Sequence, residues 1–259
     1  MAFSTNFMCP ALILVAATVV TCLNANKSCK YQHPQTLFCL SDFAIKARII
    51  SMGKITVTND IANPIQITSY KIHVKKFFLD RSNSIGFDMW QKNVKLQVEQ
   101  SLVASKSAIT LQPKSTYVIF GSFSQDRKHL ILKQCGFYAP WHNITREQRF
   151  GLRHAYNDNC HRCNIKLCHN VENNKDKKKL CTANKNECLW KPKVMAFSHC
   201  PLNSSVVIST DCHALHSTCA YHSSNQRCTW IYSKSVRKCK MEYDRDLHRS
   251  RSPYKYHCK

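Results

Sequence analysis

From Phe43 to Phe123 the chain alternates apolar and polar residues in short runs. Ile45, Ala47 and Ile49 are separated by Lys46 and Arg48, and the same period recurs in Ile55-Thr56-Val57, Ile65-Gln66-Ile67 and Tyr70-Lys71-Ile72-His73-Val74. Further runs are Val94–Val98, Ala108-Ile109-Thr110-Leu111, Tyr117–Phe120 and Leu130-Ile131-Leu132. A period of two puts every second side chain on one face, so each run predicts a half-buried strand. Asn59-Asp60, Asn63-Pro64 and Pro113-Lys114 punctuate the runs as turns. The pattern changes at Thr145. From there to Tyr156 it predicts a helix, with Thr145 as N-cap, Gln148 three residues on, and Phe150 turned toward the core beside Leu152 or His154. The expected fold class is mainly β, a barrel or sandwich. A five-stranded Greek-key barrel flanked by helices, the OB architecture, satisfies it, although the pattern does not separate this from other small barrels.

Ahead of the first strand, residues 11–20 are an apolar run too short to span a bilayer and are followed by small residues, as in a secretory signal. Residues 1–25 are read as that signal; cleavage after Cys22, Ala25 or Asn26 fits, and no later run predicts a membrane span. The cysteines agree with export. Cys9 and Cys22 fall in the signal, and the other fourteen of the sixteen are an even number, as a paired framework in an oxidising compartment requires. Only Cys29, Cys39, Cys135 and Cys160 lie in the first part, and ten crowd into residues 163–258. This shift predicts two domains, a barrel over 26–160 and a disulfide-stapled module over 161–259. Asn26, Asn143 and Asn203 head Asn-x-Ser/Thr sequons, and Asn143 and Asn203 are the expected glycosylation sites.

Several chemistries find no support. The chain has no Gly-rich phosphate loop, no GxSxG and no HExxH, so neither an enzyme nor a cofactor is expected. Cys160-x-x-Cys163 beside His161 has zinc-like spacing, but in an exported chain disulfides are the better reading, and no metal site of its own is expected. The thirteen histidines, among them His169, His199, His213, His216, His222 and His257, are read as surface residues that make binding pH-sensitive. The net charge of +23 favours polyanionic partners. Outside the cell these are sulfated glycosaminoglycans rather than nucleic acid.

Longer motifs narrow the reading. His33-Pro34-Gln35 is followed by Phe38-Cys39, Asp42 and Ile45-Lys46-Ala47. Asn59–Ile65 with Tyr70-Lys71-Ile72, then Cys135-Gly136-Phe137-Tyr138-Ala139-Pro140-Trp141, come next. Cys160-His161-Arg162-Cys163, Cys168, Cys188-Leu189-Trp190 and Cys228-Thr229-Trp230 complete the series. In content and order the series resembles the tissue inhibitors of metalloproteinases. The resemblance implies an OB barrel followed by a small β module, and extracellular zinc metalloproteinases as partners. It implies a protease-binding ridge at Lys27, Ser28, Cys29, Lys30 and Tyr31. In the family the mature chain starts Cys-x-Cys, and the first cysteine's amino group and carbonyl chelate the protease zinc. It also implies the pairs Cys29–Cys135, Cys39–Cys160, Cys163–Cys228, Cys168–Cys181 and Cys188–Cys219. Cys200, Cys212, Cys239 and Cys258 are left over, with their pairing open.

This chain departs from the family at one place. Lys27 stands where the first cysteine should be, and no cysteine occurs between Cys39 and Cys135 to receive the missing bridge. If the mature chain starts at Lys27, its amine and carbonyl would chelate and Ser28 would enter the S1′ pocket. If it starts at Asn26, an extra peptide bond occupies the amine's place and chelation fails. The expected function is therefore metalloprotease inhibition with an altered chelating end. The alternative is a non-inhibitory matrix ligand on the same scaffold. Two basic tracts, Lys175, Lys177, Lys178 and Lys179 in one and Arg237, Lys238 and Lys240 in the other, are the expected glycosaminoglycan-binding residues.

Overall fold

The structure, a computed structural model, describes residues 32–58, 64–81, 94–101, 109–168, 181–192 and 211–250. A first helix α1 (Pro34–Leu40) leads into β1 (Phe43–Val57), β2 (Ile65–Asp80), β3 (Val94–Ser101), β4 (Thr116–Phe123), β5 (Leu130–Lys133) and β6 (Tyr138–Pro140). These form one sheet in the order β1-β2-β3-β5-β4-β6, and β1 also pairs with β4. That extra pairing closes a ring of five strands, with β6 attached outside it to β4.

Alternation along the strands fills two cores. Phe43, Ile45, Ala47 and Ile49 of β1 point into the barrel with Tyr70, Ile72, Leu96, Val98, Ile119 and Leu132. Ala44, Val118 and Phe120, on the opposite face, meet Phe38 of α1 and Leu152 and Tyr156 in a second core. Full burial of such a side chain contributes about 1.5–3 kcal/mol. β1 and β2 are longer than their sequence runs suggest, because each continues through register shifts, at Ile49/Ser51 and Met52/Ile55 among others. Each shift resets the period of two and lets the long hairpin coil. Ile109 and Leu111 are buried as expected but form no strand; Ile109 N–H donates to Gln100 Oε1 (2.7 Å) and Leu111 N–H to Tyr70 Oη (3.3 Å).

Closure of the barrel depends on Gly121, where β4 crosses between β1 and β5. A Cβ there would collide with the Ile131 carbonyl and come within 2.7 Å of Phe43 Cζ. Since the first obstacle is backbone, Gly121→Ala should cost about 1–3 kcal/mol, read as a lower urea midpoint at unchanged slope.

The helical segment begins at Thr145, whose Oγ1 accepts from Gln148 N–H while Gln148 Oε1 accepts from Thr145 N–H. This capping box starts α2 (Arg146–Phe150), a π turn (Gly151–Ala155) and α3 (Tyr156–Asn159). The wider π turn shifts the face that is buried. Leu152 and Tyr156 therefore enter the second core, and Phe150, expected inside, is 55% exposed, with its ring 5.4 Å from that of His154. Cys39–Cys160 ties α1 to the end of α3 across 121 residues, a closure worth about 2–4 kcal/mol.

Beyond α3 lie β7 (Asn164–Leu167), β8 (Glu187–Trp190), α4 (Cys212–His216), β9 (Ser217–His222), β10 (Arg227–Tyr232) and α5 (Lys234–Ser250). β7 pairs parallel with β8 and β9 antiparallel with β10, around a small core made by Cys163–Cys228 and Cys188–Cys219. Cys212–Cys239, one of the pairs left open by the sequence, fastens α5 to α4. Cys168 and Cys181, which the resemblance implies as a pair, are free thiols in sulfur hydrogen-bond contact. Burial, then the contact with Cys181, pushes the Cys168 thiol up to about 11. No described helix is long and apolar enough to cross a membrane.

Candidate functional site: the anchored amino-terminal segment

The expected ridge, Lys27, Ser28, Cys29, Lys30 and Tyr31, lies outside the described residues; the structure describes the segment that follows it in sequence, from residue 32 onward. His33 is the N-cap of α1 and is completely buried. Its Nδ1 accepts from Gln35 N–H (3.2 Å), which leaves Nε2 to carry the hydrogen and donate to the His213 carbonyl (3.2 Å). The imidazole sits between Trp190 and Trp230, each at 5.3 Å. Burial drives its pKa down to about 3, against the hydrogen bond to His213 O, with the His213 ring adding repulsion. Pro34 presets the first helical φ and sacrifices an N–H the helix start does not use.

Gln35 extends the anchor. Its Nε2 donates to Cys219 O (2.8 Å) and its Oε1 accepts from Cys219 N–H (2.9 Å), so a side-chain amide pairs with β9 as a neighbouring strand would. The helical segment joins the same elements. Gln148 Nε2 donates to Ala214 O (3.1 Å), Thr145 Oγ1 donates to Leu215 O, and Asn159 Oδ1 accepts from Tyr221 N–H (2.9 Å). Glu147 accepts from Ser235 Oγ (2.7 Å) and meets His216 Nδ1 (3.1 Å). Burial raises its pKa, but these two hydrogen bonds, the backbone N–H of Glu147 and the charge of His216 together hold the carboxyl below the usual range. His33 and Gln35 thus hold α1, and Thr145, Glu147, Gln148 and Asn159 the α2–α3 segment, against β9, α4 and α5. Local sequence shows Thr145 and Gln148 as a capping box; nothing local marks His33 or Gln35 as partners of residues 180 or more positions away.

The other expected sites are distributed as follows. Cys135 is disulfide-bonded, while Cys29 lies outside the described residues. Asn143 is exposed at the end of a 3-10 turn (Trp141–Asn143), as a glycan acceptor must be. Asn26, Asn203, Lys175, Lys177, Lys178, Lys179, Cys200 and Cys258 are outside the described residues. Arg237 and Lys238 are exposed on α5, with Lys238 in an i,i+4 pair to Glu242 (3.9 Å). Lys240 is half-buried, its Nζ 5.5 Å over the Tyr232 ring. The second basic tract therefore lies on a helix. The histidines are not uniformly on the surface: His33 is interior, and His213 is half-buried, its pKa lowered by burial and by Lys240. Among the described residues no three His, Cys, Asp or Glu side chains converge as metal ligands.

This architecture agrees with comparisons to known proteins. The family model described as tissue inhibitor of metalloproteinase matches residues 25–230. Metalloproteinase inhibitor 2 of Homo sapiens is 29% identical over 180 residues, covering 69% of this chain and 73% of that protein. Metalloproteinase inhibitor 2 of Cricetulus longicaudatus is 29% identical over 165 residues, 63% of this chain and 75% of that protein. Metalloproteinase inhibitor 4 of Mus musculus is 29% identical over 166 residues, 63% and 66% respectively. With most of its length matched, from before the anchored helix into β10, the chain belongs to the tissue inhibitor of metalloproteinase family.

Proposed function

We propose that the chain is a secreted inhibitor of zinc metalloproteinases, presenting residues 27–31 as the ridge that enters the protease cleft. The observation that carries this reading is the anchor. α1, which follows the ridge directly, is fixed by buried His33, by the Gln35–Cys219 hydrogen bonds and by Cys39–Cys160. A ridge mounted on a rigid base loses less entropy on binding than a free tail. A chain processed to begin at Lys27 would offer its amine and carbonyl to the protease zinc. The bridge that would preorganise this end is absent, and ordering each extra residue costs about 1–2 kcal/mol.

A tight-binding titration of the secreted, mass-verified protein against several metalloproteinase catalytic domains tests the proposal. Inhibition is expected from chains that start at Lys27, with affinity below that of a bridged inhibitor, and not from chains that start at Asn26. No inhibition by Lys27-started protein at micromolar concentration would sink the reading. The same reading takes residues 1–25 as the signal, 26–160 and 161–259 as the two domains, and Asn143 and Asn203 as glycan acceptors. Exposed Arg237 and Lys238 support matrix retention through sulfated glycosaminoglycan, together with Lys240 and the tract at Lys175, Lys177, Lys178 and Lys179.

A further inference from the structure

We propose that Asn143 receives its glycan only before α4 docks, because the finished fold takes up the hydroxyl that the sequon must present. This rests on the reading of Asn143 as an acceptor in a secreted chain, and not on protease inhibition. Asn143-Ile144-Thr145 is the sequon. Ser and Thr share little but a hydroxyl, so the requirement for either at the third position means that the hydroxyl is what the transferase reads. The reaction joins Asn143 Nδ2 to the anomeric carbon of an oligosaccharide carried on a lipid pyrophosphate. The lipid pyrophosphate leaves, and the amide gives up one proton to a base of the transferase.

Of the three residues, only Asn143 is open in the folded chain. It is exposed at the end of the 3-10 turn. Ile144 is 3% exposed within the second core, and its N–H donates to Trp141 O (3.3 Å). Thr145 Oγ1 has one hydrogen, which it donates to Leu215 O, and the same oxygen accepts from Gln148 N–H (3.1 Å). Leu215 lies 70 residues further along. The hydroxyl is therefore available until α4 has been synthesised and has packed on α2, and is withdrawn afterwards.

More than one bond holds it there. Gln148 Nε2 donates to Ala214 O (3.1 Å) and Ser235 Oγ to Glu147 (2.7 Å), so α4 and α5 grip α2 together. Asp211 caps α4 by accepting from Ala214 N–H (2.8 Å), and Cys212–Cys239 fastens α4 to α5. Closure of that disulfide thus competes with glycosylation at a site far from it in sequence. A glycan already attached does not oppose the fold, since Asn143 is exposed. Two secreted forms follow, with and without a glycan at Asn143, in a ratio set by how quickly α4 docks.

The test uses the full protein made in cells whose synthesis of lipid-linked oligosaccharide is blocked. It is incubated with solubilised oligosaccharyltransferase and a lipid-pyrophosphate-linked oligosaccharide, and transfer to Asn143 is followed by mass spectrometry. The folded protein should be modified at least about tenfold more slowly than the same protein reduced and alkylated, because transfer then waits on local opening. Equal rates would overturn the timing while leaving Asn143 an acceptor. No transfer to either form would show that Asn143 is not an acceptor, and the proposal would fall with that reading. Cys212→Ser/Cys239→Ser, which unfastens α4 from α5, should speed transfer to the folded chain about threefold or more by making that opening easier. An unchanged rate in this variant would place the block in the 3-10 turn and Ile144, and would overturn the part assigned to α4.

Discussion

Acidification from pH 7 to pH 4 should destabilise this protein by on the order of 3 kcal/mol through His33 alone. The ring is held neutral in the folded chain, its pKa lowered to about 3, whereas in the unfolded chain it titrates near the ordinary 6.5. Between these two values the unfolded state binds the extra proton, so stability is fully present above about pH 6.5 and falls as pH drops toward 3. Each unit of difference is worth about 1.4 kcal/mol. His213, also lowered, acts with the same sign, and Glu147 adds a loss below its unfolded range because its folded pKa is depressed. A protonated His33 has no acceptor for a second N–H, since Nδ1 faces the Gln35 backbone N–H. Urea unfolding at a series of pH values reads this directly. His33→Asn, which keeps an N-cap acceptor, should be less stable at pH 7 but show a much flatter pH dependence from 7 to 4. An equally steep dependence in that variant would assign the acid sensitivity elsewhere.

Sequence made the barrel walls legible because one period of two describes them. Ile45, Ala47 and Ile49 with Tyr70, Ile72 and Val74 are inside, as alternation requires. The same signal fails where the backbone changes without the period changing. Ile109 and Leu111 alternate like a strand and are buried like one, yet side chains of Gln100 and Tyr70 satisfy their N–H groups in place of a ladder. Phe150 was misplaced because the helix rule assumes 3.6 residues per turn, and the π turn after it does not keep that spacing. The anchor was least legible. His33-Pro34-Gln35 signals a helix start through Pro34, but the partners of His33 and Gln35 belong to α4 and β9, far along the chain.

A change of one atom type at Gln35 should show how much of the scaffold hangs on this anchor. Gln35→Glu is isosteric and keeps an oxygen to accept from Cys219 N–H, but it replaces the donor facing Cys219 O with a second acceptor. At 1% exposure the new carboxylate would be charged, without a cation within the anchor, and opposed to a carbonyl. An uncompensated buried charge of this kind costs about 3–5 kcal/mol. Gln35→Ala, which only orphans the two Cys219 groups, should cost less, about 1–3 kcal/mol. The two variants also differ in pH dependence. Burial raises the carboxyl pKa in the folded state, and once protonated its O–H can donate to Cys219 O as the amide did. The penalty of Gln35→Glu is therefore full above the raised folded pKa and shrinks as pH falls toward the unfolded value. This runs opposite to the His33 effect, so the gap between Gln35→Glu and the unaltered protein should narrow on acidification, while the gap for Gln35→Ala stays constant. A parallel shift of both variants across pH would mean that the Gln35 amide is not the strand-like link between α1 and β9, and that Cys39–Cys160 and the second core hold α1 without it.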